Sequence, residues 1–132
     1  MILTNINDID KLALEFLTLQ GVINLDMNDY NLIKNSSKSI KAVKVEGNTC
    51  NTELINAFNE EIKLVGKENI RKFLFYIVGN ENDTEFQNIT FETLSSFQKI
   101  VFEDLDGADI TWGTGNNPNK DSKITLIAII GY

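Results

Sequence analysis

Residues 72 to 78, KFLFYIV, form a continuously apolar run rich in aromatic and branched side chains. A strand with one wet face alternates polar and apolar residues, so an unbroken run of this length predicts a central strand covered on both faces. Covering it requires a core of some size. With 132 residues, 42% of them hydrophobic, the chain fits a single compact domain that buries roughly two thirds of its unfolded surface. No repeat or low-complexity linker divides it.

Around that strand the apolar spacing predicts alternating elements. Ile9, Leu12, Phe16 and Leu19, flanked by Ala13 and Leu17, mark one face of a helix over 7–19, which Gln20 and Gly21 end. After VINL a second helix is expected from Asp26 to about Asn35, burying Met27, Tyr30 and Ile33. SIKAVKVEG reads as a strand with Val43 and Val45 on one face, closed by Gly47. The clearest helix opens on Asn51 and stops at Gly66, with Leu54, Ala57, Phe58, Ile62 and Val65 at helical spacing. Past the central strand and a polar loop, GNENDTEFQN, a helix from Thr90 to about Glu103 is expected to bury Phe91, Leu94, Phe97 and Val101.

The last two strands, ADITWG and KITLIAIIGY, flank the turn-forming TGNNPNKDS and read as a hairpin with a long loop. Each helix needs a sheet surface on which to bury its stripe. The expected fold is therefore α+β: a two-layer sandwich of a four-stranded mixed sheet with helices mainly on one face.

Composition excludes several kinds of chemistry. Nineteen acidic against twelve basic residues give a net charge of −7, and no run of Lys or Arg exceeds two, so nucleic acid is not an expected partner. Without His, and with Cys50 alone, there is no zinc cluster, no internal disulfide and no His-dependent triad, and no metal site is expected. Cys50 reads as a packing or loop residue. No apolar stretch approaches the roughly 20 residues that span a bilayer, and the opening residues do not resemble a secretory signal, so no membrane insertion and a cytoplasmic address are expected.

The candidate site lies in GVINLDMNDY, residues 21 to 30, where Asp26 and Asp29 follow Asn24. Asp is a preferred N-cap, and an acidic residue three positions later nearly completes a capping box, both favoured by the helix dipole. The same geometry holds two ionised carboxylates at an exposed helix start, with an amide beside them that can orient a ligand or a water. Such a cluster can polarise a water molecule. It has no glycine-rich strand-to-helix loop with which to hold a nucleotide, since WGTG lies between two strands and reads as a turn. Trp112 there reads as a strand residue on a sheet face. The acidic FEDLDGAD reads as a solvated helix end reversed at Gly107.

GVINLDMNDY resembles the loop after the long central helix of FtsZ, the bacterial tubulin-like division GTPase, in which the usual pattern is G-[LIV]-[IM]-N-[LV]-D-F-x-D-[VI]. Gly21, Ile23, Asn24, Asp26 and Asp29 match. Met27 stands where the family prefers Phe, and Tyr30 where it prefers a branched aliphatic. KFLFYIVGN resembles the family's next hallmark strand, with Asn80 in place of a glycine. ITFETLSSFQKIV, ADITWGTGNN and SKITLIAIIGY resemble the following helix and the last two strands, in the right order. Residues 35–70 are weaker, lacking the family's glycine-rich and Pro-Leu-Leu features. The similarity runs from about residue 7 to residue 132.

The resemblance implies that residues 1–20 are the end of the central connecting helix and 21–132 the C-terminal, GTPase-activating domain of an FtsZ-like septation protein. The nucleotide-binding domain is not in this sequence, so the chain alone is expected to hold no cofactor and to be inactive. GTP with magnesium is expected on a partner nucleotide domain, of the same or a neighbouring subunit. In a filament built by head-to-tail self-association, Asp26 and Asp29 would polarise the water attacking that neighbour's GTP, with Asn24 positioning the loop. A different reading of the same residues is a stand-alone α+β interaction or small-ligand module, in which the aspartates are caps and nothing more.

Overall fold

The computed structural model describes residues 1–19, 23–82, 86, 91–105, 107–118 and 123–132, with the side chains of Phe91 and Glu92 excepted. The first helix ends at Phe16 with Leu17 as its C-cap, short of the expected Leu19. Gln20 and Gly21, read as its stop, most of the loop after Asn82, the helix start at Thr90 and the burial of Phe91 lie outside the described residues.

The elements in chain order are β1 (Ile2–Leu3), α1 (Ile6–Phe16), α2 (Met27–Ser36), β2 (Ile40–Gly47), α3 (Thr52–Val65), β3 (Lys72–Gly79), α4 (Phe91–Phe97), a π-helical turn (Gln98–Phe102), β4 (Asp109–Asn116) and β5 (Ile124–Gly131). Local chemistry sets the helix ends. Asn5 caps α1 through the Asn7 amide, and Asn51 caps α3 through the Leu54 amide. Gly66 ends α3 at φ +104°, a conformation that favours a residue without a Cβ. Gly107 reverses the chain at φ +81°.

The described strands form one mixed sheet in the order β1-β2-β5-β3-β4, antiparallel except for the parallel pair β3–β4. The α+β class and the central position of β3 agree with the sequence reading. Three features differ. A fifth strand, the two-residue β1, pairs with β2 through Ile2 and Val43; two residues carry no periodicity from which to read a strand.

The last two strands form no hairpin, because β3 lies between them. All eight residues of β5 are buried, so β5 has to occupy the middle of the sheet. The first four residues of β4 are exposed, which suits an edge. The β3–β4 pair is parallel and needs a crossover, which α4 supplies.

The helices also cover both faces, making three layers where two were expected. On one face Phe73, Phe75 and Ile77 of β3 meet Leu126, Ala128 and Ile130 of β5 under α3 and the α4–π segment. On the other, Leu74, Tyr76 and Val78 meet Ile127 and Ile129 under α1 and α2. Two adjacent strands that are apolar on alternate residues in both phases leave no face for water. Within α3, Ile55 takes a buried place and Ala57 is exposed. Phe97 and Val101 are buried as expected, with Leu94 packed at the margin of the same core. The Lys67 ammonium, its pKa lowered mainly by burial, donates to the carbonyl of Val101 at 3.2 Å in the π-helical turn.

Candidate functional site

The start of α2 is a reciprocal cap. Asp26 is the N-cap residue, extended at φ −137°, and its Oδ1 accepts from the amides of Asn28 at 2.9 Å and Asp29 at 3.2 Å. Asp29 returns the favour through Oδ2, which accepts from the Asp26 amide at 2.8 Å. Backbone donors left over at a helix N-terminus are satisfied this way. Each carboxylate spends one oxygen on the cap.

Asn24 and Asp26 are exposed and share a shallow groove with Leu17, Thr18, Met27 and Asn28. Asp29, half-buried, borders a separate small pocket beside Leu32, Lys72, Asp109 and Thr111. The three residues singled out in the sequence are therefore contiguous, but only Asn24 and Asp26 line one depression.

Sequence reasoning missed what holds this loop. The Tyr76 hydroxyl donates to the carbonyl of Leu19 at 2.6 Å, and burial pushes that phenol up to about 12. The Thr114 amide, on the free edge of β4, donates to the Ile23 carbonyl at 2.7 Å. In return Thr114 Oγ1 accepts from the Ile23 amide at 3.2 Å. Gly113 and Gly115, read from sequence as part of a turn, lie inside β4. A Cβ on Gly113 would come within 2.7 Å of the Ile23 carbonyl oxygen and of Leu25 Cγ, and one on Gly115 within 3.0 Å of the Leu19 carbonyl oxygen. These glycines make room for the chain's own loop and for the Tyr76 ring, which a Cβ on Gly115 would meet at 2.7 Å. The missed signal was the small-residue alternation Gly-Thr-Gly in a β context, which marks a close approach of backbone.

Downstream, Tyr30 is buried and its hydroxyl donates to the Asp10 carboxylate on α1, which also pairs with Lys34 at 3.1 Å. That Tyr30 bond, followed by Lys34, holds the Asp10 carboxyl below its usual range. Trp112 lies in β4 and is 36% exposed. Cys50 packs against the α3-side core, where burial pushes its thiol up to about 12, far from a reactive thiolate. Among the described residues no group of three or more acidic or Cys side chains could hold a metal ion, and no helix is long and apolar enough to cross a membrane.

No family model matches the sequence, and no curated protein matches it at the sequence level. Solved structures do match. A single-substitution variant of FtsZ from M. jannaschii aligns at 18% identity with a TM-score of 0.64, covering 96% of this chain and 37% of that one. The four-stranded filament of TubZ-Bt aligns at 11% identity and TM-score 0.68, over 95% of this chain and 33% of that one. GDP-form protofilaments of Bacillus thuringiensis serovar israelensis TubZ align at 11% identity and TM-score 0.64, over 85% and 30%. The chain thus has the fold of the FtsZ C-terminal domain, and it spans about a third of the length of these solved proteins.

Proposed function

We propose that this chain is the C-terminal domain of an FtsZ-like filament protein and that its loop of Asn24, Asp26 and Asp29 activates GTP hydrolysis on the adjacent subunit. The observation that carries the reading is the fold match over 96% of the chain to FtsZ and 95% to a TubZ filament, joined to a loop that exposes Asn24 and Asp26 at a capped helix start. Phosphoryl transfer asks a protein chiefly for positioning and charge. In this reading the carboxylate oxygens not spent on the cap orient and polarise the attacking water. GTP and magnesium sit on the neighbour's nucleotide domain, and the head-to-tail contact that completes the site also propagates the filament.

Two measurements test it. Titrated with GTP, the isolated chain is expected to show no micromolar binding. Mixed with a polymerising FtsZ-like GTPase of its own kind, it is expected to change GTP turnover, and Asp29→Ala to abolish that change. Micromolar GTP binding, or turnover indifferent to both proteins, would refute the proposal.

The reciprocal cap favours a second reading, a stand-alone interaction or small-ligand module in which both aspartates are structural. Under it, Asp26→Asn and Asp29→Asn leave every interaction with a partner unchanged.

A further inference from the structure

We infer that Thr114 and Tyr76 are positioning residues for the acidic loop, holding it at two backbone points in a bed cleared by Gly113 and Gly115. The inference rests on the reading of the loop as a GTPase-activating insert and names the residues that set its reach. Four residues on two neighbouring strands converge on the same two places. Leu19 takes the Tyr76 hydroxyl at 2.6 Å and would meet a Cβ on Gly115 at 3.0 Å. Ile23 exchanges two hydrogen bonds with Thr114, at 2.7 and 3.2 Å, and would meet a Cβ on Gly113 at 2.7 Å.

An edge strand leaves its outer amides unpaired, and here the Thr114 amide is used by the loop. Leu25, buried between Ile23 and the cap, extends the anchoring to the residue before Asp26. Ile23, Asn24 and Asp26 are exposed and Leu25 is buried, so the two polar side chains flank an anchored residue. Rate in such a site depends on placement to within about 1 Å, so loosening the clamp acts on turnover without touching a reacting atom.

The test uses Thr114→Val, which keeps the β-branch and the backbone bond and removes only the side-chain acceptor, with Thr114→Ser as the variant that restores it. Amide exchange at Ile23, read by NMR on the whole chain, is expected to quicken about tenfold in Thr114→Val and to return in Thr114→Ser. In the mixed turnover assay, Thr114→Val is expected to lower kcat with KM unchanged. Tyr76→Phe, which removes one hydroxyl, is the second variant should Thr114→Val fold poorly, with the same two readouts.

Wild-type exchange at Ile23 in both variants would overturn the clamp. Faster exchange with unaltered kcat would overturn the positioning role. A wild-type chain that changes no turnover overturns the activating reading instead, and the exchange result then decides alone whether these residues hold the loop.

Discussion

Tyr30 and Asp10 join α2 to α1: the buried phenol directly after Asp29 donates its hydroxyl to a carboxylate 20 residues earlier. Lys34, one turn further along α2, grips the same carboxylate at 3.1 and 3.2 Å. The helix that presents the acidic loop is thereby locked in rotation against the helix before it.

This lock predicts a pH profile. The Asp10 carboxyl titrates below its usual value when folded, so its contribution is present above about pH 4 and is lost as pH falls through the lower, folded value. The phenols run the other way. Burial raises Tyr30, Tyr76 and Tyr132, so their contribution is present below about pH 10 and declines above it, Tyr76 reaching its folded value near 12. Denaturation midpoints across pH should fall at both ends, and Tyr30→Phe should flatten part of each limb.

Phe75 is the hub of the α3-side core. Its ring centroid lies 4.5 Å from that of Phe97, 5.6 Å from Phe58 and 5.7 Å from Phe102. Phe75→Ala leaves a cavity facing three rings and is expected to cost about 3–5 kcal/mol, measured by urea denaturation. Phe75→Leu, which refills most of the volume, should cost much less.

Gly113→Ala should destabilise by about 1–3 kcal/mol, because the added methyl meets a backbone oxygen that cannot rotate away. The change should also shift the NMR resonances of Ile23 and Leu25 while leaving those of α3 in place. Equal shifts throughout the chain would mean that the glycine serves the whole sheet and not the loop.

What was legible in the sequence was local. KFLFYIV announced β3, and Asn51 with Gly66 bracketed α3, because caps and apolar runs act over a few residues. Asp26 and Asp29 were legible as a cap for the same reason. What holds their loop was not: Thr114 and Ile23 are 91 residues apart, and nothing near either one names the other. The false hairpin has a related origin. Sequence adjacency favours pairing β4 with β5, but β5 is apolar on both sides and can satisfy itself only between β2 and β3. The helices on both faces follow from β3 and β5 together; the two-sided character of β3 was visible in KFLFYIV while its partners were not.

The cap at α2 allows charge and structure to be separated. Asn caps a helix about as well as Asp, whereas Ala cannot cap at all. Asp26→Ala should therefore cost about 1 kcal/mol by releasing the amides of Asn28 and Asp29. Asp26→Asn should cost little, since its amide oxygen can accept the same two bonds and only the favourable interaction of a carboxylate with the helix dipole, about 0.3–1 kcal/mol, is lost. If the loop acts only as a cap, any effect on a partner should track stability, large for Ala and small for Asn. If the carboxylate charge acts on a neighbour's substrate, Asn and Ala should be equally defective in turnover despite their different stabilities. Thermal melts and mixed GTP turnover on the same two variants decide between these outcomes.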